Sequence, residues 1–207
     1  MPRMSREEKA RTHARIVEVA ARMFRENGIA TTAVADVMKA AGLTHGGFYR
    51  HFASKDDLVA AAISHAVSTS LADLEKAEGH EAKTSAVLSY IDRYLSDEHV
   101  RNPRDGCPLA ALGPEAPRSS TRISNALDEG SVEAVRVLTA AMNGRRETAS
   151  ALMATLLGTV VMARMAGSHQ SCQRILLAGR RAALSIVKAG GGQNRAGGAR
   201  PKRTRRD

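Results

Sequence analysis

Tryptophan is absent from this 207-residue chain, and aromatic residues together make up only 3% of it. A core with so few rings must be filled by Ala, Val, Leu and Met, which suits closely packed helices. There are two cysteines, Cys107 and Cys172, too few for a disulfide framework. No apolar run approaches the roughly 18 residues of a membrane span. The stretch MPRMSREEKAR is charged and has no apolar core behind it, so no signal peptide is expected and the expected location is cytoplasmic. The seven histidines are scattered, without the Cys/His spacing of a metal site. No glycine-rich loop follows a strand-like run, and no activated nucleophile is visible, so no cofactor, metal or catalytic residue is expected.

What is present points elsewhere. Hydrophobic content of 43% is that of a globular protein. The net charge of +10 is unevenly placed. Residues 1–55 hold ten Lys/Arg against five Asp/Glu, residues 56–188 hold fifteen of each, and residues 189–207 hold six against one. The surplus sits at the two ends, where it attracts phosphate and releases counterions on binding.

Residues 32–58, TAVADVMKAAGLTHGGFYRHFASKDDL, read as helix, tight turn, short second helix and the start of a longer one. Thr32 can cap the first helix, with Val34, Val37, Met38 and Ala41 on one face. Gly42 can take the left-handed conformation that closes it. Thr44 is a candidate N-cap for the second helix, His45 to His51, which is too short and polar to be stable alone. Phe48 and Phe52 can anchor one side of it, leaving His45, Gly46, Tyr49 and Arg50 facing out. A short helix pinned by aromatics is what a helix-turn-helix inserts into the major groove. Gly46 and Gly47 cost a helix up to about 1 kcal/mol each against Ala, as though its backbone must approach something closely, such as the sugar-phosphate chain.

Residues 42–58 resemble the signature of the TetR family of transcriptional regulators through Gly42, Gly46, Phe48, Tyr49, His51, Phe52, Ser54, Lys55 and Leu58. The likeness extends back through Thr32, Val34, Asp36, Val37 and Ala41, and weakly to Ile16, Ala20 and Phe24. It implies an all-α homodimer: an N-terminal three-helix helix-turn-helix domain followed by a helical ligand-binding and dimerisation domain, about nine helices in all. The expected divisions are 1–54, 55–189 and a disordered basic tail at 190–207. The expected partners are a double-stranded, palindromic DNA operator, a small-molecule inducer and a second copy of the chain, with no membrane. The DNA-binding set is Thr32, Thr44, His45, Gly46, Tyr49, Arg50, His51 and Lys55, where Lys55 carries the family's backbone contact. Ala33 and Ala35 depart from the Ser/Thr and Arg common there, which shifts weight to the recognition helix.

Elsewhere, residues 5–27 predict a first amphipathic helix stopped by Asn27-Gly28, with Arg3, Arg6, Lys9 and Arg11 a candidate arm toward phosphate. Ser54 caps a helix running to about Glu78. A helix from about Ala82 to His99 has Val87, Leu88, Ile91, Tyr94 and Leu95 inward. NPRDG is a turn, and CPLAALGPEAP admits one short helix. Ser119 or Ser120 caps the next helix, with Ile123, Leu127, Val132, Val135 and Leu138 inward. Residues 147–166 and 168–188 form an antiparallel pair, expected to give half of a four-helix dimer interface through Leu152, Thr155, Leu156, Thr159, Ala163, Ile175, Leu176 and Leu184. Tyr90, Tyr94, Cys107, Met142, Met153 and Met162 are the candidate ligand-binding residues. Cys107, with Arg104 nearby to lower its pKa, is either a thiol sensor or a small buried hydrophobe. Cys172 is expected to be packing. The rivals are a thiol-dependent redox or electrophile enzyme using Cys107 and a helical adaptor that binds only protein.

Overall fold

Nine residues of one 22-residue helix, Lys55–Lys76, are buried: Leu58, Val59, Ala60, Ala62, Ile63, Ala66, Val67, Leu71 and Leu74. A helix this apolar around its circumference must be covered on more than one side. In the computed structural model, which describes residues 6–192, it packs between the N-terminal helix and a later 21-residue helix. In chain order the helices are α1 Arg6–Asn27, α2 Val34–Ala40, α3 Lys55–Lys76, α4 His80–Tyr94, α5 Asp97–Arg101, α6 Pro108–Leu112, α7 Thr121–Ala141, α8 Arg146–Arg164 and α9 His169–Gly192. Short 3₁₀ helices span His45–Arg50, Pro103–Asp105 and Gly113–Arg118. No strand occurs among the described residues. The expected all-α architecture with a helix-turn-helix at its N-terminal end is what forms.

Local chemistry sets several boundaries. Gly42 lies at φ +70°, a conformation a β-carbon would strain, and so turns the chain out of α2. Ser54 accepts the backbone N–H of Asp57 at 3.1 Å, with Asp56 and Asp57 in the first turn of α3. Ser120, rather than Ser119, caps α7.

Other boundaries differ from expectation. The predicted helix 82–99 is two helices: α4 ends at Tyr94, and Ser96 starts α5 by accepting the His99 N–H. Helix α3 stops at Lys76, two residues short of Glu78. The recognition segment is a 3₁₀ helix ending at Arg50. Leu88 and Val132 are exposed, because the inward lines of their helices run through Val87, Tyr90, Ile91 and Tyr94 and through Leu127, Gly130, Ala134 and Val137. Helix α9 continues to Gly192, through the first residues assigned to the tail. Arg3 and the rest of the basic tail lie outside the described residues.

Helices α8 and α9 pack as the expected pair. At their crossing, a β-carbon on Gly179 would overlap the Thr159 side chain, whose hydroxyl is tied to the Thr155 carbonyl at 2.7 Å. Gly179→Ala is therefore expected to destabilise the protein by about 1–3 kcal/mol through overpacking. Gly113→Ala, with nothing within 4 Å of the added carbon and a helical φ of −52°, should not. Urea unfolding of the two variants checks the contrast.

Candidate nucleic-acid interface and cavity

The aromatic pin forms as the sequence implies. Phe48 and Phe52 are buried with ring centroids 5.7 Å apart, and Phe52 stacks on His13 of α1 at 4.6 Å. Held from beneath, the 3₁₀ helix turns Thr44, His45, Gly46, Tyr49 and Arg50 to solvent. Tyr49 is 71% exposed, its ring edge-on to His45 at 6.4 Å. A large aromatic this exposed, with no partner beyond its own turn, suits contact with another molecule. Nothing lies within 4 Å of where a Gly46 β-carbon would be. No contact inside the protein requires glycine there. Lys55 is partly buried at the N-terminus of α3, where backbone N–H groups favour an anion.

Two members of the expected set behave differently. Thr32 is not the N-cap of α2; Ala33 holds that position. The Thr32 side chain is only 3% exposed, and its hydroxyl donates to the Gly28 carbonyl at 2.8 Å. It fastens α1 to the turn before α2 and has no hydroxyl left for phosphate. His51 is partly buried, with Nδ1 lacking a hydrogen-bond partner. Burial, then the neighbouring His13, Lys9 and Arg50, lower its pKa, so it can offer a hydrogen bond but not a charge at neutral pH.

The second site is a cavity of about 430 Å³ wedged between α1 and the helices behind it. Glu18, Arg22 and Arg25 of α1 form one wall, and α3 and α4 form others. The segment from Ser96 to Cys107 closes it. Ion pairs link Arg22 to Asp105 and Arg104 to Glu26, at 3.3 and 3.4 Å, and Arg25 Nε donates to the Arg104 carbonyl at 2.8 Å. Glu115 adds a further tie by accepting the Ile29 N–H at 3.3 Å. The cavity thus lies at the joint between the N-terminal unit and the rest of the chain.

Of the candidate ligand residues, Tyr90, Tyr94 and Cys107 line this cavity, whereas Met142, Met153 and Met162 do not. Met142 and Met153 fill the core, and Met162 is 55% exposed on α8. Cys107 is 5% exposed. Burial pushes its thiol pKa up, contrary to the expected lowering by Arg104, whose guanidinium pairs with Glu26 instead. His99 holds the segment in place, its Nδ1–H donating to the Tyr94 carbonyl at 2.6 Å and its Nε2 accepting the Cys107 N–H at 2.9 Å. Its carbonyl, with those of Val100 and Ala110, accepts from the Arg164 guanidinium of α8. No local pattern singles out Arg25, His99 or Arg164, since the His-Val-Arg run reads as ordinary helix.

The residues expected at a dimer interface are mostly covered within the chain itself. Leu152, Leu156, Thr159, Ala163 and Leu176 are buried within the protomer, and Thr155, Ile175 and Leu184 are partly so. The stripe facing outward on α8 runs through Ala151, Ala154, Gly158 and Met162 to Met165 just past its end, and on α9 through Arg174, Leu177, Ala178, Arg181 and Ala182. Met165 and Leu177 are 71% and 53% exposed. The apolar surplus of α8 was legible; which side of it faced the rest of the protomer was not. Cys172 is buried, as expected of a packing residue.

The class of fold is thus a helix-turn-helix set against a helical body, with a cavity between them. Residues 16–62 match the family described as “Bacterial regulatory proteins, tetR family”. The match covers the helix-turn-helix region and the start of α3. The chain is 39% identical over 92 residues to the HTH-type transcriptional regulator TtgR of Pseudomonas putida, covering 44% of this chain and 40% of that protein. Over 91 residues it is 29% identical to the uncharacterized HTH-type transcriptional regulator YfiR of Bacillus subtilis, covering 44% of each. It thus spans less than half the length of these curated relatives. The fold extends further: the reduced form of E. coli NemR superposes with a TM-score of 0.65 at 22% identity, covering 82% of this chain and 96% of that one. A TetR transcriptional regulator from Chloroflexus aurantiacus also gives 0.65, at 22% identity, covering 84% and 95%.

Burial, chiefly, holds the pKa of His99 below the ordinary 6.5. Between those values the unfolded chain takes a proton that folded His99 refuses, so stability is lost as the pH falls below about 6.5. His51 acts in the same direction. His99→Gln is therefore expected to lose less unfolding free energy than the native protein between about pH 7 and pH 5.5. Equal losses in urea titrations would show that His99 is not linked.

Proposed function

We propose that the protein is a homodimeric transcriptional repressor that binds a palindromic operator and is released by a small molecule in the cavity beside α1. The outward face of Thr44, His45, Gly46, Tyr49 and Arg50, carried on an aromatic-pinned turn within the TetR-like region, supports DNA reading above all else. Thr44, His45, Tyr49 and Arg50 meet base edges or backbone in the major groove, while Lys55 and His51 position phosphates. Gly46 lets the backbone come close.

The unpartnered stripes on α8 and α9 are the surface on which a second copy packs, and small Gly158 and Ala154 suit close helix approach. Dimerisation sets two recognition segments about 34–36 Å apart, the spacing of successive major grooves. A ligand in the cavity contacts α1 directly, so it favours a separation that no longer fits the operator to the extent that it binds that state better. The site of action is the cytoplasm. No described helix is long and apolar enough to cross a membrane. A thiolate enzyme draws no support from a buried Cys107 whose pKa is raised.

The test is binding to DNA flanking the protein's own gene, across a salt series, beside scrambled DNA. A specific site should hold roughly 10³-fold or more over scrambled sequence. Tyr49→Ala should cost that site at least about tenfold, and Lys55→Gln should flatten the salt dependence by about one phosphate. Equal affinity for both DNAs would count against the reading. On the outward stripe, a Met165→Glu, Leu177→Glu double variant should sediment as a folded monomer and lose operator affinity. A variant that remained dimeric would move the interface elsewhere.

A further inference from the structure

The polar groups around the cavity can be sorted into those already bonded and those left free. Among the acceptors, Glu18 and Asp105 pair with Arg22, and Asp73 pairs with Arg93 at 2.7 Å. The hydroxyls of Thr69 and Ser70 donate to carbonyls of their own helix. Both ring nitrogens of His99 are engaged. Glu98 has no partner among the described residues, but it is exposed, where water and salt screen it.

The groups left free are donors. The Tyr90 and Tyr94 side chains are each 4% exposed; the Tyr90 hydroxyl has no hydrogen-bond partner, and that of Tyr94 meets only the Cys107 sulfur, a weak acceptor. A buried hydroxyl without an oxygen or nitrogen acceptor costs the folded state, so the two on one cavity wall point to a ligand that supplies one. Burial raises the pKa of both phenols, so both keep their protons. Arg25 is partly buried and donates through Nε; Asp105 is near enough to act on its charge, but no carboxylate among the described residues bonds its two terminal nitrogens. Those nitrogens form the edge that grips a carboxylate with two parallel hydrogen bonds. Arg25, Tyr90 and Tyr94 all lie close enough to Cys107 to interact with it electrostatically, so the free donors converge on one part of the cavity.

We infer that the ligand of this cavity is a small organic carboxylate, its anionic group held by Arg25 and an acceptor oxygen met by the hydroxyls of Tyr90 and Tyr94. A cation would face the Arg25 guanidinium, and an aliphatic ligand would leave both phenols without an oxygen or nitrogen acceptor. A volume near 430 Å³ lies within the range of small-molecule sites. Because Arg25 belongs to α1, such a ligand touches the N-terminal unit and the body at once. The inference rests on the proposed regulator reading only for its consequence on DNA; the binding itself is separable.

The experiment uses the full chain and matched probes: benzoate, phenylacetate and octanoate beside their amides and methyl esters, each at millimolar concentration. Calorimetry and thermal shift should show the carboxylates binding and their neutral counterparts binding at least about tenfold more weakly. Arg25→Gln should lose that preference, and Arg25→Lys should recover part of it. Tyr90→Phe and Tyr94→Phe should weaken carboxylate binding while the unliganded Tm stays level or rises for Tyr90→Phe, which removes an unpartnered hydroxyl, and changes little for Tyr94→Phe, which gives up only a weak bond to sulfur. These phenylalanine variants carry the test if Arg25→Gln does not fold. No response to any carboxylate, a preference for the neutral compounds, or unchanged binding in every folded variant overturns the inference. Operator binding by the native protein is scored separately. Carboxylate binding without a specific DNA site would sink the regulator reading alone, whereas specific DNA binding with a cavity that prefers esters would sink the ligand inference alone.

Discussion

Burial of α3 on two sides is the constraint from which the rest of the architecture follows. Its nine buried side chains need α1 against one side and α7 against another, and each fully buried Leu, Ile or Val contributes about 1.5–3 kcal/mol. The ion pairs joining α1 to the 103–105 segment are at least one-third exposed at both partners, and such pairs are worth about 0–1 kcal/mol each. The apolar contact therefore holds the N-terminal unit to the body. The ion pairs orient it. An equilibrium between orientations can shift at such a joint without breaking the core.

That division explains why the cavity is placed as it is. Its walls are α1, α3, α4 and the 96–107 segment, so it opens where orientation is set by weak polar contacts rather than by packing. On its far side, Arg164 binds the carbonyls of His99, Val100 and Ala110 with one guanidinium and carries no carboxylate partner among the described residues. The charge is balanced by the negative ends of two short helices. Helix α8, whose outer stripe is the proposed dimer surface, is thereby fastened to the wall holding Tyr94 and Cys107. Under the proposed function, ligand, dimer spacing and recognition face are connected through α1 on one side and Arg164 on the other.

Much of the N-terminal unit was legible in the residues because local rules specify it. Gly42 with its positive φ, the Ser54 cap and the Phe48–Phe52 pin each act within a few residues of themselves. The failures have separate causes. Thr32 looked like a cap by position, but its hydroxyl turns back to the Gly28 carbonyl four residues earlier and Ala33 holds the capping position. The break after Tyr94 was marked by Ser96 followed by two acids, but it was outweighed by an apolar period that continued across it.

The sequence by itself determined that the chain is helical, where most helices start and stop, and that one short polar face near its N-terminus is left for another molecule. Those properties depend on periodicity, capping and charge, all carried by neighbours along the chain. Only the tertiary structure decided which side of α8 and α9 faces the protomer, because an apolar helix with small residues on both sides is equally consistent with either choice. Likewise, only packing brought Arg25 of α1 to Tyr90, Tyr94 and Cys107 and left the Tyr90 hydroxyl without a partner. A hydrogen bond that is not made depends on everything surrounding it, and no local pattern records that.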